Sequence, residues 1–156
     1  MTAFQKARLL ALVIPSALML GALGSQYIGG LYPCEMCYWQ RWPHDVAIVL
    51  ALFAFGTRVD RAAHILVALA ALAIMTSGAI GVFHAGVEYG WWQGITTCAT
   101  TAAGVSLEDI MRAPVVRCDV PQWTLFGVSL AGFNAIISLG AGLLILGLLG
   151  RGRAAA

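Results

Sequence analysis

Four long apolar stretches constrain this chain more than any other feature. They run from about Arg8 to Tyr27, Trp39 to Gly56, Ala62 to His84 and Trp123 to Leu149. A helix crossing the hydrocarbon layer of a bilayer needs roughly 20 apolar residues, and each stretch is close to that length. Composition agrees: 60% of the residues are hydrophobic and 10% are charged. A soluble domain carries roughly 25% charged residues to cover its core. The chain, at 156 residues, therefore reads as one integral membrane domain, 1–156, an all-α bundle of four transmembrane helices. The second stretch is the least regular, because Arg41, Pro43, His44 and Asp45 crowd its start. Those four are expected at its interfacial end, with Pro43 kinking or opening the helix.

The basic residues orient the bundle. Lys6, Arg8, Arg58, Arg61, Arg151 and Arg153 fall on one side of the four stretches, and Arg41, Arg112 and Arg117 on the other. By the positive-inside rule the six-residue side is cytoplasmic. Both termini then lie inside, and the loops near 28–38 and 85–122 lie outside. Trp39, Trp42, Trp91, Trp92 and Trp123 fall at the outer edge, where an aromatic belt belongs. The first stretch has the charged start of a signal peptide, but it is long for one and gives the even helix count that a basic C-terminus requires. A net charge of +2 is too small to indicate a nucleic-acid partner.

All four cysteines, Cys34, Cys37, Cys98 and Cys118, map to the two outer loops and none to a helix centre. An even number on an oxidising face implies disulfides. The natural pairs are Cys34–Cys37 and Cys98–Cys118. A Cys-x-x-Cys loop is too short to add much loop-closure stability. Its value is chemical, since a thiol at a helix start is turned towards thiolate by the helix dipole and nearby cations. Arg41, four residues after Cys37, supplies such a cation on the same face. No metal is expected, because Cys98 and Cys118 are far apart along the chain and no histidine neighbours either in sequence. Between them, Ser106 to Asp109 has a helix-start pattern and Leu107, Ile110 and Met111 an apolar side. A short interfacial helix, ended by Pro114, is expected there.

These residues resemble the DsbB family of bacterial inner-membrane disulfide-forming proteins. The resemblance rests on Cys34-Glu35-Met36-Cys37-Tyr38-Trp39-Gln40-Arg41, on the run from His84 through Trp91 and Trp92 to Cys98, and on Cys118 through Trp123 into the last stretch. It covers nearly the whole chain. In the related vitamin K epoxide reductase family the Cys-x-x-Cys pair comes late in the bundle, whereas here it comes first.

The resemblance implies a thiol:quinone oxidoreductase of the inner membrane, with its cysteines on the periplasmic side. A periplasmic thioredoxin-like DsbA-type protein would form a mixed disulfide with Cys98. Cys118 would then attack Cys34, and Cys37 would face a quinone of the ubiquinone or menaquinone type. The catalytic residues are then Cys34, Cys37, Cys98 and Cys118. Arg41 and His84 would contact the quinone, while Glu88 would be loop structure and His44 an interfacial partner of Asp45. A DsbA-type partner is a strong oxidant, near roughly −120 mV, while structural disulfides lie below roughly −300 mV. Re-oxidising it therefore requires a strong terminal acceptor. Two rivals stand beside it: a stapled, non-catalytic membrane scaffold, and a haem or metal carrier using His64 and His84, which lie at opposite ends of the third stretch and so cannot share one haem within a chain.

Overall fold

A computed structural model describes residues 1–95, 99–100 and 115–154. Four helices carry the chain: α1 (Ala3–Tyr27), α2 (Glu35–Gly56), α3 (Asp60–Glu88) and α4 (Leu130–Ala154). Each of α1, α3 and α4 is long and apolar enough to cross a membrane. The acids and bases in the first half of α2, Glu35, Arg41 and Asp45, set it apart from these three. Its apolar run begins at Trp39, so the first turn, with Cys37, stands outside that run. The short interfacial helix expected near Ser106 falls outside the described residues.

The helices form a ring in which each packs on the next and α4 closes against α1. Contacts define the two ends. At one end Phe4 stacks on His64, with ring centroids 4.0 Å apart, and Arg8 donates to the Ala54 carbonyl at 3.4 Å. At the other, Arg41 of α2 meets Gln26 of α1, and Tyr89 after α3 donates to the Gly127 carbonyl before α4. The described cysteines all sit at this second end. His64, expected as a helix-start residue, is in the first turns of α3, with Nδ1 2.8 Å from the Asp60 carbonyl.

Small residues bring the helices close. The core between them is made largely of alanine, including Ala7, Ala11, Ala47, Ala51, Ala70 and Ala71. Close packing of small side chains is how helices associate where lipid removes the hydrophobic driving force. The α3–α4 contact is the tightest: a Cβ on Gly81 would stand 2.9 Å from the Ala131 carbonyl oxygen.

Two boundaries differ from expectation. α2 starts at Glu35 and continues through Pro43, so the proline neither opens nor ends it. α4 starts at Leu130 rather than Trp123. Residues 124–129 instead form a tight hairpin, pairing Thr124 with Ser129 and Leu125 with Val128. Its two turn residues, Phe126 and Gly127, have φ of 51° and 78°, as a two-residue hairpin turn requires. Apolar content hid this turn from a reading by hydropathy. A second two-residue ribbon pairs Ala99 with Val116 and Thr100 with Val115.

Candidate redox site

Cys34 caps the N-terminus of α2, with its backbone extended and its sulfur accepting the Cys37 amide at 3.2 Å. An acceptor at this position satisfies one of the free amides of the first turn, and the helix dipole favours negative charge there. Cys34, Cys37 and Cys118 are all free thiols. Cys34 and Cys118 are buried, packed with Met36, Val87 and Val116 in a small apolar cluster. Cys98 lies outside the described residues. Ala99, which follows it, pairs with Val116, two positions before Cys118.

The two outer loops meet at His84. The sulfurs of Cys34 and Cys118 and a ring nitrogen of His84 all lie within 4.8 Å of one another. The expectation of no histidine near Cys118 held along the chain but not in space. Such a trio is compact enough to hold a soft metal ion, and it equally places two sulfurs for exchange. His84 Nε2 stands 3.6 Å from Cys34 Sγ and 3.7 Å from Glu88 Oε1. Glu88 is therefore no loop residue: it ends α3 and turns a mostly buried carboxyl towards His84.

The paired thiols are unequal. Hydrogen bonding to Cys37, with burial next, pushes the Cys34 thiol above the ordinary thiol range. The hydrogen bond from Cys34 pulls Cys37 the other way, with a smaller contribution from Arg41. Negative charge on the pair thus settles on Cys37.

Cys37 faces a cavity of about 280 Å³ between α1, α2 and α4. Its apolar wall includes Ala17, Leu18, Gly21 and Ala22 of α1, and its polar end holds Cys34, Cys37, Arg41, His84 and Glu88. Arg41 turns towards α1. Its guanidinium donates to Gln26 Oε1 at 2.6 Å and to the Ala22 carbonyl at 3.2 Å, and lies 5.4 Å from the Tyr38 ring centroid. A fixed cation beside a sulfur, opening onto an apolar slot, suits a flat molecule with polar oxygens and a hydrocarbon tail.

Below the cysteines runs a chain of buried polar groups that sequence reasoning missed. Gln40 and His44 of α2, Ser77 of α3 and Asn134 and Ser138 of α4 bond to one another across the bundle. His44, expected at the interface beside Asp45, is instead only 3% exposed, with Nε2 2.9 Å from Ser77 Oγ and 3.0 Å from Asn134 Oδ1. Asp45 points outward. The available signal was spacing: Gln40 and His44, and Asn134 and Ser138, are each one turn apart, and in the otherwise apolar α4 such polar residues mark function.

Comparison with known proteins agrees with the geometry. The chain is 24% identical over 122 residues to an uncharacterized protein of Rickettsia prowazekii (strain Madrid E), covering 74% of this chain and 70% of the relative. No solved structure gives a significant match. The family model described as "Disulfide bond formation protein DsbB" matches residues 5–148. That match spans most of the chain, and the chain belongs to the DsbB family of disulfide bond formation proteins.

Proposed function

We propose that this membrane oxidoreductase of disulfide formation re-oxidises a periplasmic DsbA-type dithiol protein and delivers the electrons to a membrane quinone. The observation that carries the reading is the meeting of Cys34, Cys118 and His84 within 4.8 Å, with Cys37 next to Arg41 on the adjoining cavity wall. Cys118 beside Cys34, with Cys37 on the cavity wall, supports relayed exchange in that order.

In this reading a thiolate of the partner attacks Cys98 of a Cys98–Cys118 disulfide. A Cys98–partner bond forms and Cys118 leaves with the electron pair. Cys118 attacks Cys34, the Cys34–Cys37 bond breaks, and Cys37 leaves as a thiolate. The partner's second thiolate displaces Cys98, which attacks Cys118 and releases Cys34. The partner is then oxidised, and Cys34 and Cys37 are a dithiol. A quinone, when bound, accepts the two electrons and two protons whose loss restores the Cys34–Cys37 disulfide.

The residues present fit that group. Arg41 would hold a quinone oxygen, the α1 wall its tail, and Cys37 would border the ring. In this reading His84 and Glu88 pass a proton between Cys34 and the cavity, which their distances of 3.6 Å and 3.7 Å support. Exchange order is tested by mixing the protein with a partner carrying a single reactive thiol and mapping disulfides by mass spectrometry. The expected product pairs the partner with Cys98 and Cys34 with Cys118. A partner bound to Cys34 or Cys37 would contradict the order.

A further inference from the structure

The buried polar chain fixes which nitrogen of His84 carries its proton. Tautomers and amide orientations are assigned through their hydrogen bonds, and here every assignment ends on a backbone carbonyl, which can only accept. Gln40 Nε2 lies 3.1 Å from the Met36 carbonyl oxygen, so the nitrogen end of that amide is fixed. The same nitrogen lies 2.8 Å from His84 Nδ1. It therefore donates, Nδ1 accepts, and the neutral ring carries its proton on Nε2. That nitrogen faces two acceptors, Cys34 Sγ at 3.6 Å and Glu88 Oε1 at 3.7 Å, and of these the sulfur is the one that takes part in exchange.

Gln40 is itself held. Asn134 Nδ2 donates to Gln40 Oε1 at 2.8 Å and to the Ser77 carbonyl at 3.2 Å. The second contact fixes the Asn134 amide, and the first fixes the far end of Gln40. Ser77 Oγ spends its proton on the Gln40 carbonyl at 2.7 Å. It is thus left to accept from His44 Nε2, whose other neighbour, Asn134 Oδ1, is also an acceptor. Three helices contribute to this lock. Bonds of this kind contribute little each in a membrane bundle, so stability alone is a poor reason to bury Gln40, His44, Ser77 and Ser138 around a half-buried Asn134.

We infer that Gln40 and Asn134 are positioning residues that hold His84 as its Nε2–H tautomer, with that N–H directed at the Cys34 sulfur. The inference rests on the exchange sequence proposed above. When Cys98 attacks Cys118 of a Cys34–Cys118 disulfide, the Cys98–Cys118 bond forms and the Cys34–Cys118 bond breaks. Cys34 keeps the bonding pair, and the Nε2–H donates to the thiolate so formed. With the opposite tautomer a nitrogen lone pair would face that thiolate and oppose its release.

Nitrogen-15 spectroscopy of the His84 ring in the reduced, quinone-free protein tests this directly. The Nε2–H signature is expected in the wild type, and an Nδ1–H ring overturns the inference. Gln40→Met removes the donor, and Asn134→Ala loosens Gln40 without touching His84, so one variant serves if the other fails to fold. Each is expected to mix the tautomers and slow alkylation of Cys34 by about tenfold at fixed pH, the equivalent of one pK unit. Unchanged alkylation in a folded variant overturns the positioning role. The pH is held constant because Cys37, His84 and Glu88 are ionisable groups near Cys34, beside the Cys118 sulfur and with Arg41 and Arg117 on the same cavity wall. A wild type with the Nε2–H ring that never reduces quinone contradicts the functional reading and leaves the tautomer standing.

Discussion

Arg41 and Cys37 are one helical turn apart, and both face the cavity. The guanidinium is anchored to α1 through Gln26 and the Ala22 carbonyl, so it is in place before any ligand arrives. A hydrogen bond to a charged group contributes about 1.5–3 kcal/mol. Arg41→Met is therefore expected to lower kcat/KM for a soluble quinone by about 10- to 100-fold, read from initial rates against quinone concentration. The unequal thiols lead to a second prediction. Above the lowered pKa of Cys37, and well before Cys34 ionises, Cys37 is the thiolate. Brief alkylation of reduced protein at neutral pH should mark Cys37 first, and acid should protect it. Preferential marking of Cys34, located by peptide mass spectrometry, would contradict that division. That Cys34, Cys37 and Arg41 share one helix face was legible in the sequence because motif and spacing carry it. The part of His84 facing Cys34 was not, because residues fifty positions apart in the chain meet only in space.

Among the elements, the α3–α4 contact decides how well the polar chain is held. Gly81 lies against the Ala131 carbonyl and the Ala135 amide, and the same pair of helices brings Asn134 to Ser77. Gly81→Val must push α4 away. Overpacking of this kind costs about 1–3 kcal/mol, seen as a lower midpoint of thermal unfolding in detergent. The displaced Asn134 should also free Gln40, so Cys34 alkylation should slow in the same variant; an unchanged rate would show that the lock does not depend on this contact. Helix existence was legible from hydropathy because long apolar runs admit little else in a bilayer. Of the four expected spans, α1, α3 and α4 are long and apolar enough to cross one, while α2 carries charges in its first half. The start of α4 was not, because Trp123, Leu125 and Phe126 are as apolar as the helix that follows. Only the positive φ at Phe126 and Gly127 marks the turn.

For the whole molecule, the ring of helices places the described cysteines at one end and the chain start, with Lys6 and Arg8, at the other. The proposed orientation puts the basic end in the cytoplasm. A membrane-impermeant thiol reagent applied from the periplasmic side should then label reduced Cys37 but not a cysteine placed at Arg58, and reversed labelling would invert the topology. The charge pattern made this axis readable from sequence. The cavity was not readable, since it arises from how α1 stands against α2 and α4. The central claim is that Cys37 connects the thiol relay to a quinone in that cavity. The most direct measurement mixes purified protein, a reduced DsbA-type partner and a soluble quinone, and follows quinone absorbance. Quinone should be consumed in step with partner oxidation by the wild type and not by Cys37→Ser; no consumption by the wild type, or full activity in Cys37→Ser, would contradict the account.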